Sequence, residues 1–201
     1  MADDRLNESE LVGDRIPRMR GFQDLMAHRV QDILLVSSLY ESFILAEDGQ
    51  LNELILSEFL DLNLHHTPGL TRLSTGAMAI ELAKTEPRFN LMITTIQVGD
   101  MNASELAREV RQAGLDIPVV LLAFDNRELS DFLARNDTSQ IDEIFIWQGD
   151  VKILLAIVKF IEDKWNAEFD CKVGGAQCIL VVEDNTRYYS SFLPLIYTEV
   201  M

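Results

Sequence analysis

The feature that most constrains the fold is an alternation of five short apolar runs with stretches of helical periodicity. The apolar runs lie at residues 33–36, 70–73, 91–96, 119–122 and 144–147. The periodic stretches lie at residues 51–62, 77–83, 103–113, 129–135 and 151–165. Strands covered by helices on both faces are apolar throughout, and such strands belong to parallel sheets. The alternation therefore predicts an α/β fold with a doubly wound, five-stranded parallel sheet.

The segments on either side of this alternation differ from it. Residues 1–31 form an acidic tail followed by apolar positions that predict an amphipathic helix over about 16–30. Residues 166–177 are polar and contain Gly174 and Gly175, which predicts a linker between the domain at 32–165 and a terminal unit at 178–201. That unit has strand character at 178–182 and helix character at 190–200. We expect it to be ordered by contact with helix 16–30, with the first domain or with another copy, because a lone strand and helix cannot bury their own faces.

Charge and cysteine content exclude several classes of function. Lys and Arg number 17 against 33 Asp and Glu, so the formal net charge of −16 argues against nucleic-acid or anionic-membrane binding. We expect a cytoplasmic protein, since no signal peptide is evident and no apolar run approaches about 20 residues. Cys171 and Cys178 are expected to be reduced thiols, and His65 and His66 to lie in a solvated loop. We therefore expect no metal and no cofactor.

Three stretches resemble response-regulator receiver domains. Residues 70–79, 89–103 and 117–123 are similar to the second, third and fourth strands of that family with the segments that follow them. The resemblance covers about residues 32–165 and implies the flavodoxin-like strand order 2-1-3-4-5. The last 24 residues resemble the start of a second receiver, whose acid pair would be Glu183 and Asp184.

The resemblance also implies a phosphotransfer site, and this chain departs from it at each position. The family's acid pair falls on Ser37 and Ser38, its phosphoacceptor aspartate on Thr95, its hydroxyl on Ala123 and its lysine on Trp147. Hydroxyls lack the charge with which carboxylates hold Mg²⁺, and a threonine is a poor nucleophile without a base, which the spacing does not place. These departures predict a receiver fold that no longer transfers phosphate, with no catalytic residues and Trp147 filling the space of the lost lysine.

Four loop acids follow the predicted strands and offer an alternative, a ring that attracts a cation: Glu41, Asp100, Asp125 and Asp150. The favoured interpretation is that the loops of a chain with 33 acids are acidic in any case.

Residues 37–43, 146–150 and 190–197 further resemble the amino-terminal regulatory region of bacterial proteins related to phosphoenolpyruvate synthase and pyruvate phosphate dikinase. This resemblance implies a regulatory module that acts through protein–protein contacts, with a kinase-like portion of the same parent chain or a homodimer partner. Such a parent could be an ATP-dependent phosphotransferase, although this chain would not be an enzyme. The alternatives are a phosphorylatable response regulator and a small-ligand sensor that uses the pocket at the strand ends.

Overall fold

Five parallel strands form one sheet in the order β2-β1-β3-β4-β5, which confirms the predicted fold class and strand order. The structure, a computed structural model, describes residues 26–45, 51–62, 64, 66–172 and 174–200. The strands are β1 (Asp32–Val36), β2 (Gly69–Leu73), β3 (Phe89–Thr94), β4 (Val119–Ala123) and β5 (Glu143–Ile146).

Helices follow the strands and cover both faces of the sheet. Those in the described part of the chain are α1 (Leu39–Leu45), α2 (Leu51–Asp61), α3 (Gly76–Thr85), α4 (Ala103–Gln112), α5 (Asn126–Arg135), α6 (Lys152–Lys172) and α7 (Thr186–Val200). The short helix α1 was not predicted by the apolar periodicity. Helix α4 begins with a capping box between Asn102 and Glu105, and Gly114 follows its end at a φ of 73°, where glycine is favoured.

Alternate strand residues point to opposite faces, and this produces two core layers. Ile33 and Leu35 of β1 pack in the layer that also holds residues of α2 and α6. Leu34 and Val36 pack on the other face with residues of α3 and α4. Burial on both faces accounts for the unbroken apolar runs in the sequence.

The amino-terminal segment is held by α6. Of the predicted helix over 16–30, residues 16–25 lie outside the described residues, and residues 26–30 are not helical. The backbone N–H of His28 donates to Asn166 Oδ1 at 2.8 Å, and that of Val30 donates to Glu162 Oε1 at 3.0 Å. The other oxygen of Glu162, Oε2, lies 2.7 Å from Lys159 Nζ in a buried ion pair within α6. Glu162 therefore bonds both to its own helix and to residues 26–30.

The region after residue 165 differs from its prediction in three respects. Helix α6 continues to Lys172, so the first half of the expected linker is helical. Residues 178–182 have strand composition but form no strand in the described chain, because no neighbouring strand is available to pair with them. Cys171 and Cys178 form a disulfide rather than reduced thiols. The chain turns back after α6, with Gly175 at a φ of 69° and Ala176 N–H donating to the Asp170 carbonyl at 3.0 Å, and this turn brings the cysteines together.

Helix α7 begins at Thr186, earlier than the predicted residue 190, and docks on α6 and β5. Ser190 Oγ accepts the backbone N–H of Ile146 at 2.8 Å. The Tyr189 ring stacks on Phe145 with centroids 5.8 Å apart, and Leu193 is buried in the core. The terminal helix therefore contacts the first domain. Within the described ranges, no helix is long and apolar enough to cross a membrane.

Candidate functional site

The candidate site lies at the carboxyl ends of the strands, where open α/β sheets bind their ligands. Ser37 and Ser38 follow β1, Thr95 follows β3, Ala123 ends β4 and Trp147 follows β5. The parallel sheet brings these ends to one edge. The side chains of Ser37, Thr95 and Ala123 are completely buried there.

Glu41, one of the four acids expected in loops, lies instead in the first turn of α1 and contacts the residues at the strand ends. Glu41 Oε2 accepts hydrogen bonds from Thr95 Oγ1 at 2.7 Å and from Ser38 Oγ at 2.7 Å. The same oxygen accepts the Ser38 backbone N–H at 3.1 Å, and Ser38 Oγ accepts the Glu41 backbone N–H at 3.2 Å. This reciprocal pattern is a capping box at the start of α1. Glu41 therefore both starts the helix and pairs the hydroxyls of Ser38 and Thr95.

The other predicted positions at the strand ends are packed or paired within the chain. Ser37 Oγ and Ser42 Oγ share a hydrogen bond of 2.6 Å. Ala123 lies in an apolar cluster with residues of α5 and β5. The Trp147 ring is tilted against Phe124, with centroids 6.2 Å apart, and is partly buried in the core. The aromatic contact supports the interpretation that Trp147 fills space.

The other three loop acids cap helices. Asp100 accepts the backbone N–H groups of Gly76 and Ala77 at the start of α3, at 2.7 and 3.0 Å. Asp125 accepts those of residues 127 and 128 in α5, at 2.7 and 3.0 Å. Asp150 accepts the N–H of Lys152 at the start of α6, at 2.9 Å. Carboxylates at these positions pair free N–H groups and complement the helix dipole.

These contacts shift the pKa values of nearby acids in opposite directions. Hydrogen bonds from the backbone N–H groups of Glu128 and Arg127 lower the pKa of Asp125. Partial burial, followed by the charges of Glu41 and Asp125, raises the pKa of Glu128. The strand-end edge therefore contains repelling acids.

The spacing placed no base beside Thr95, but the structure brings a carboxylate there. Glu41 lies within hydrogen-bond distance of the Thr95 hydroxyl, which is the geometry of a nucleophile and a base. The signal in the sequence was Ser38-Leu39-Tyr40-Glu41, a Ser-x-x-Glu capping pattern that predicts the start of a helix. That pattern predicts α1 but not the contact with Thr95, which depends on the neighbouring strand.

The residues at this edge do not fit the Mg²⁺ site that the receiver resemblance implies. Mg²⁺ prefers several oxygen ligands, with carboxylates supplying the charge. Glu41 Oε2, beside the hydroxyls of Ser38 and Thr95, already accepts three hydrogen bonds. The loop acids Asp100, Asp125 and Asp150 are bonded to helix N–H groups. In the part of the chain that the structure describes, no group of three or more His, Cys, Asp or Glu side chains could hold a metal ion.

Two further sequence predictions lie away from this edge. Glu183 and Asp184 are exposed beside Glu143 and Tyr189, at the outer side of β5. Glu183 Oε1 accepts the backbone N–H of Asn185 at 2.9 Å. The structure does not bring this acid pair to Thr95. His65 lies outside the described residues, and the exposed His66 contacts the Val30 carbonyl at 3.0 Å.

No family model and no curated protein matches this chain. Solved structures that it resembles include response regulator TrrA from Thermotoga maritima, at 19% identity and a TM-score of 0.46 over 65% of this chain and 98% of that one. The receiver domain of Francisella response regulator 1452 gives 14% identity and a TM-score of 0.44 over 67% and 99%. The amino-terminal domain of a response regulator/sensory box/GGDEF protein from Carboxydothermus hydrogenoformans gives 18% identity and 0.47 over 69% and 99%.

Proposed function

We propose that this chain is a non-catalytic regulatory module, a pseudo-receiver that acts in signal transduction through protein–protein contacts. The observation that carries the proposal is the contact of Glu41 with Ser38 and Thr95. In a phosphotransfer site, a cation and a positively charged side chain neutralise the phosphoryl oxygens. Here the charged group beside Ser38 and Thr95 is a carboxylate, whose negative charge would repel phosphoryl oxygens.

The exposed face of α1 supports a role in protein contacts. Leu39, Tyr40 and Phe43 have 81%, 74% and 73% of their surface exposed. These side chains lie on the helix that Glu41 anchors to the site, so the helix presents a fixed apolar surface. Apolar and aromatic residues are typical of the centres of protein interfaces. The partner in this proposal is a kinase-like portion of a parent related to phosphoenolpyruvate synthase or, alternatively, a second copy. The assignment of that parent is supported by the sequence resemblance alone.

The test of the pseudo-receiver is intact-mass spectrometry after incubation with acetyl phosphate and Mg²⁺. We expect no phosphate adduct on the full chain. An adduct within residues 32–165 would contradict the proposal and favour the phosphorylatable alternative. An acid-stable adduct on Thr95 would identify the pair formed with Glu41 as nucleophile and base.

Restored carboxylates provide a sharper version of this test. The triple variant Ser37→Asp, Ser38→Asp and Thr95→Asp regains the three acids, but Ala123 and Trp147 still provide no group for the phosphoryl oxygens. We expect this variant to remain unmodified. Its control adds Ala123→Thr and Trp147→Lys, which complete the set of chemical groups. Phosphorylation of the triple variant without Ala123→Thr and Trp147→Lys would show that phosphotransfer does not need groups at these two positions.

A further inference from the structure

A cavity lies beside the carboxyl-terminal half of α6, away from the strand ends. It has a volume of about 300 Å³ and lies between the carboxyl-terminal half of α6, α7 and residues 176–181. A cavity of roughly 150 Å³ holds a benzene molecule. This cavity therefore has room for an aromatic ring with a short side arm.

Its wall is mainly apolar. Leu193 and Ile196 of α7 line one side, and Ile179 and Val181 lie in the segment across from them. The disulfide between Cys171 and Cys178 fastens that segment to α6. Small-molecule sites in proteins share this character, an apolar lining with few polar groups that orient the ligand.

Most polar groups of the cavity already have partners. Lys159 pairs with Glu162, and Asp163 Oδ2 accepts the Tyr197 hydroxyl at 2.6 Å. Asn166 exchanges hydrogen bonds with the backbone of His28 and donates to the Glu162 carbonyl. These groups are satisfied within the chain and do not require a ligand.

Asp170 is the exception. It lines the cavity with only 8% of its surface exposed, and its Oδ1 is buried without a hydrogen-bond partner. Burial raises the pKa of this carboxyl. A buried acceptor without a partner loses the hydrogen bonds it would make to water, so a donor at this position would be stabilising. Buried polar groups in folded proteins are paired as a rule, so an unpaired one calls for an explanation, and a bound donor supplies one.

The charge of the cavity specifies the kind of donor. Glu162 neutralises Lys159, so Asp163 and Asp170 leave excess negative charge at the cavity. The chain as a whole carries a formal charge of −16, which concentrates cations near its surface. Both observations favour a positively charged ligand.

We propose that this cavity binds a small, mainly apolar primary amine in its protonated form, with the ammonium group donating to Asp170. The apolar body lies against Leu193 and Ile196. This site is separate from the strand ends and does not depend on the function proposed for them. It takes a different chemical class from the phosphoryl group of a receiver.

Calorimetric titration of the full chain with phenethylamine tests this proposal, with 2-phenylethanol and 3-phenylpropionate as neutral and anionic probes of similar shape. We expect saturable binding of the amine and binding about tenfold or more weaker for the alcohol, as a hydrogen bond to a charged group requires. The carboxylate probe should not bind. Equal affinity for amine and alcohol, or no saturable binding of the amine, would overturn the proposal.

Two matched variants locate the site. Asp170→Asn removes the charge and keeps the shape, so it should weaken phenethylamine about tenfold and leave 2-phenylethanol nearly unchanged. Glu168→Gln removes an exposed acid from the same helical turn and should leave amine binding unchanged. Equal losses in the two variants would show non-specific attraction to an acidic surface. An unchanged affinity in Asp170→Asn would place the amine elsewhere.

Discussion

The strand-end site and the cavity beside α7 each contain an acidic side chain, and the two acids differ in how they are paired. Glu41 accepts three hydrogen bonds through one oxygen at the strand ends. Asp170 has a buried oxygen with no partner. The acid at the strand ends is paired within the chain, whereas the unpaired oxygen of Asp170 is the group to which we assign a ligand.

The two regions also differ in how they were assembled. Glu41 reaches Ser38 within one helical turn and Thr95 on the adjacent strand end, so its contacts come from neighbouring elements of the sheet domain. The cavity combines α6, α7 and residues 176–181. A local pattern such as the capping box pairs polar groups that are close in the sequence. No such pattern pairs the polar groups of the cavity, which come from separate segments. The following predictions test this difference in order of expected effect.

The largest effect is expected at the buried pair that anchors the cavity side of α6. Glu162→Leu leaves Lys159 Nζ and the Val30 N–H without their partner, so we expect a loss of about 3–5 kcal/mol in the free energy of unfolding. Urea denaturation measures this loss. The control is the double variant Lys159→Leu and Glu162→Leu, which should recover much of it because no buried charge remains. A double variant as unstable as the single one would contradict this account.

A smaller loss is expected at the strand ends. Glu41→Ala removes the cap of α1 and the acceptor of the buried Thr95 hydroxyl, so unfolding should become easier by about 1–3 kcal/mol. Adding Thr95→Val removes the unpaired hydroxyl. The double-mutant cycle should therefore give a coupling energy of about 0.5–2 kcal/mol. Additive losses would show that Glu41 and Thr95 do not interact.

The smallest effects are on the pH dependence of the free energy of unfolding, and Asp125 and Asp170 should change it in opposite directions. The folded-state pKa of Asp125 lies below its ordinary value of 3.8, so its charged form stabilises the fold above that value, and this contribution disappears as the pH falls through the folded pKa. The pKa of Asp170 is raised, so its charged form destabilises the fold, and protonation at lower pH relieves the penalty.

Asp125→Asn should therefore be destabilising near neutral pH and lose that effect in acid. Asp170→Asn should be stabilising near neutral pH and lose that benefit as the pH falls. Urea midpoints measured for both variants and the parent chain between about pH 7 and pH 3 provide the comparison. Parallel curves for the two variants would contradict the difference in pairing.

The sheet could be predicted because its signal is local and repeated. Runs such as residues 119–122 are apolar at every position, and the helices between them have the matching period. Helix boundaries were less accurate. Residues 166–172 include polar side chains, and that polarity was interpreted as a linker, although Asn166 and Asp170 are buried and the helix continues to Lys172. Residues 178–182 were predicted as a strand from their composition, but they form none, because a strand also needs a neighbouring strand to pair with.

By itself, the sequence determined the α/β class and the parallel sheet, at whose strand ends Ser37, Ser38, Thr95 and Trp147 lie. Those properties follow from side-chain period and residue type, which each segment carries along the chain. Only the tertiary structure decided that Glu41 pairs with Thr95 and that Asp170 is buried without a partner. Both depend on which segments meet in space, and a hydrogen bond requires atoms within about 3 Å, a condition that no local pattern specifies.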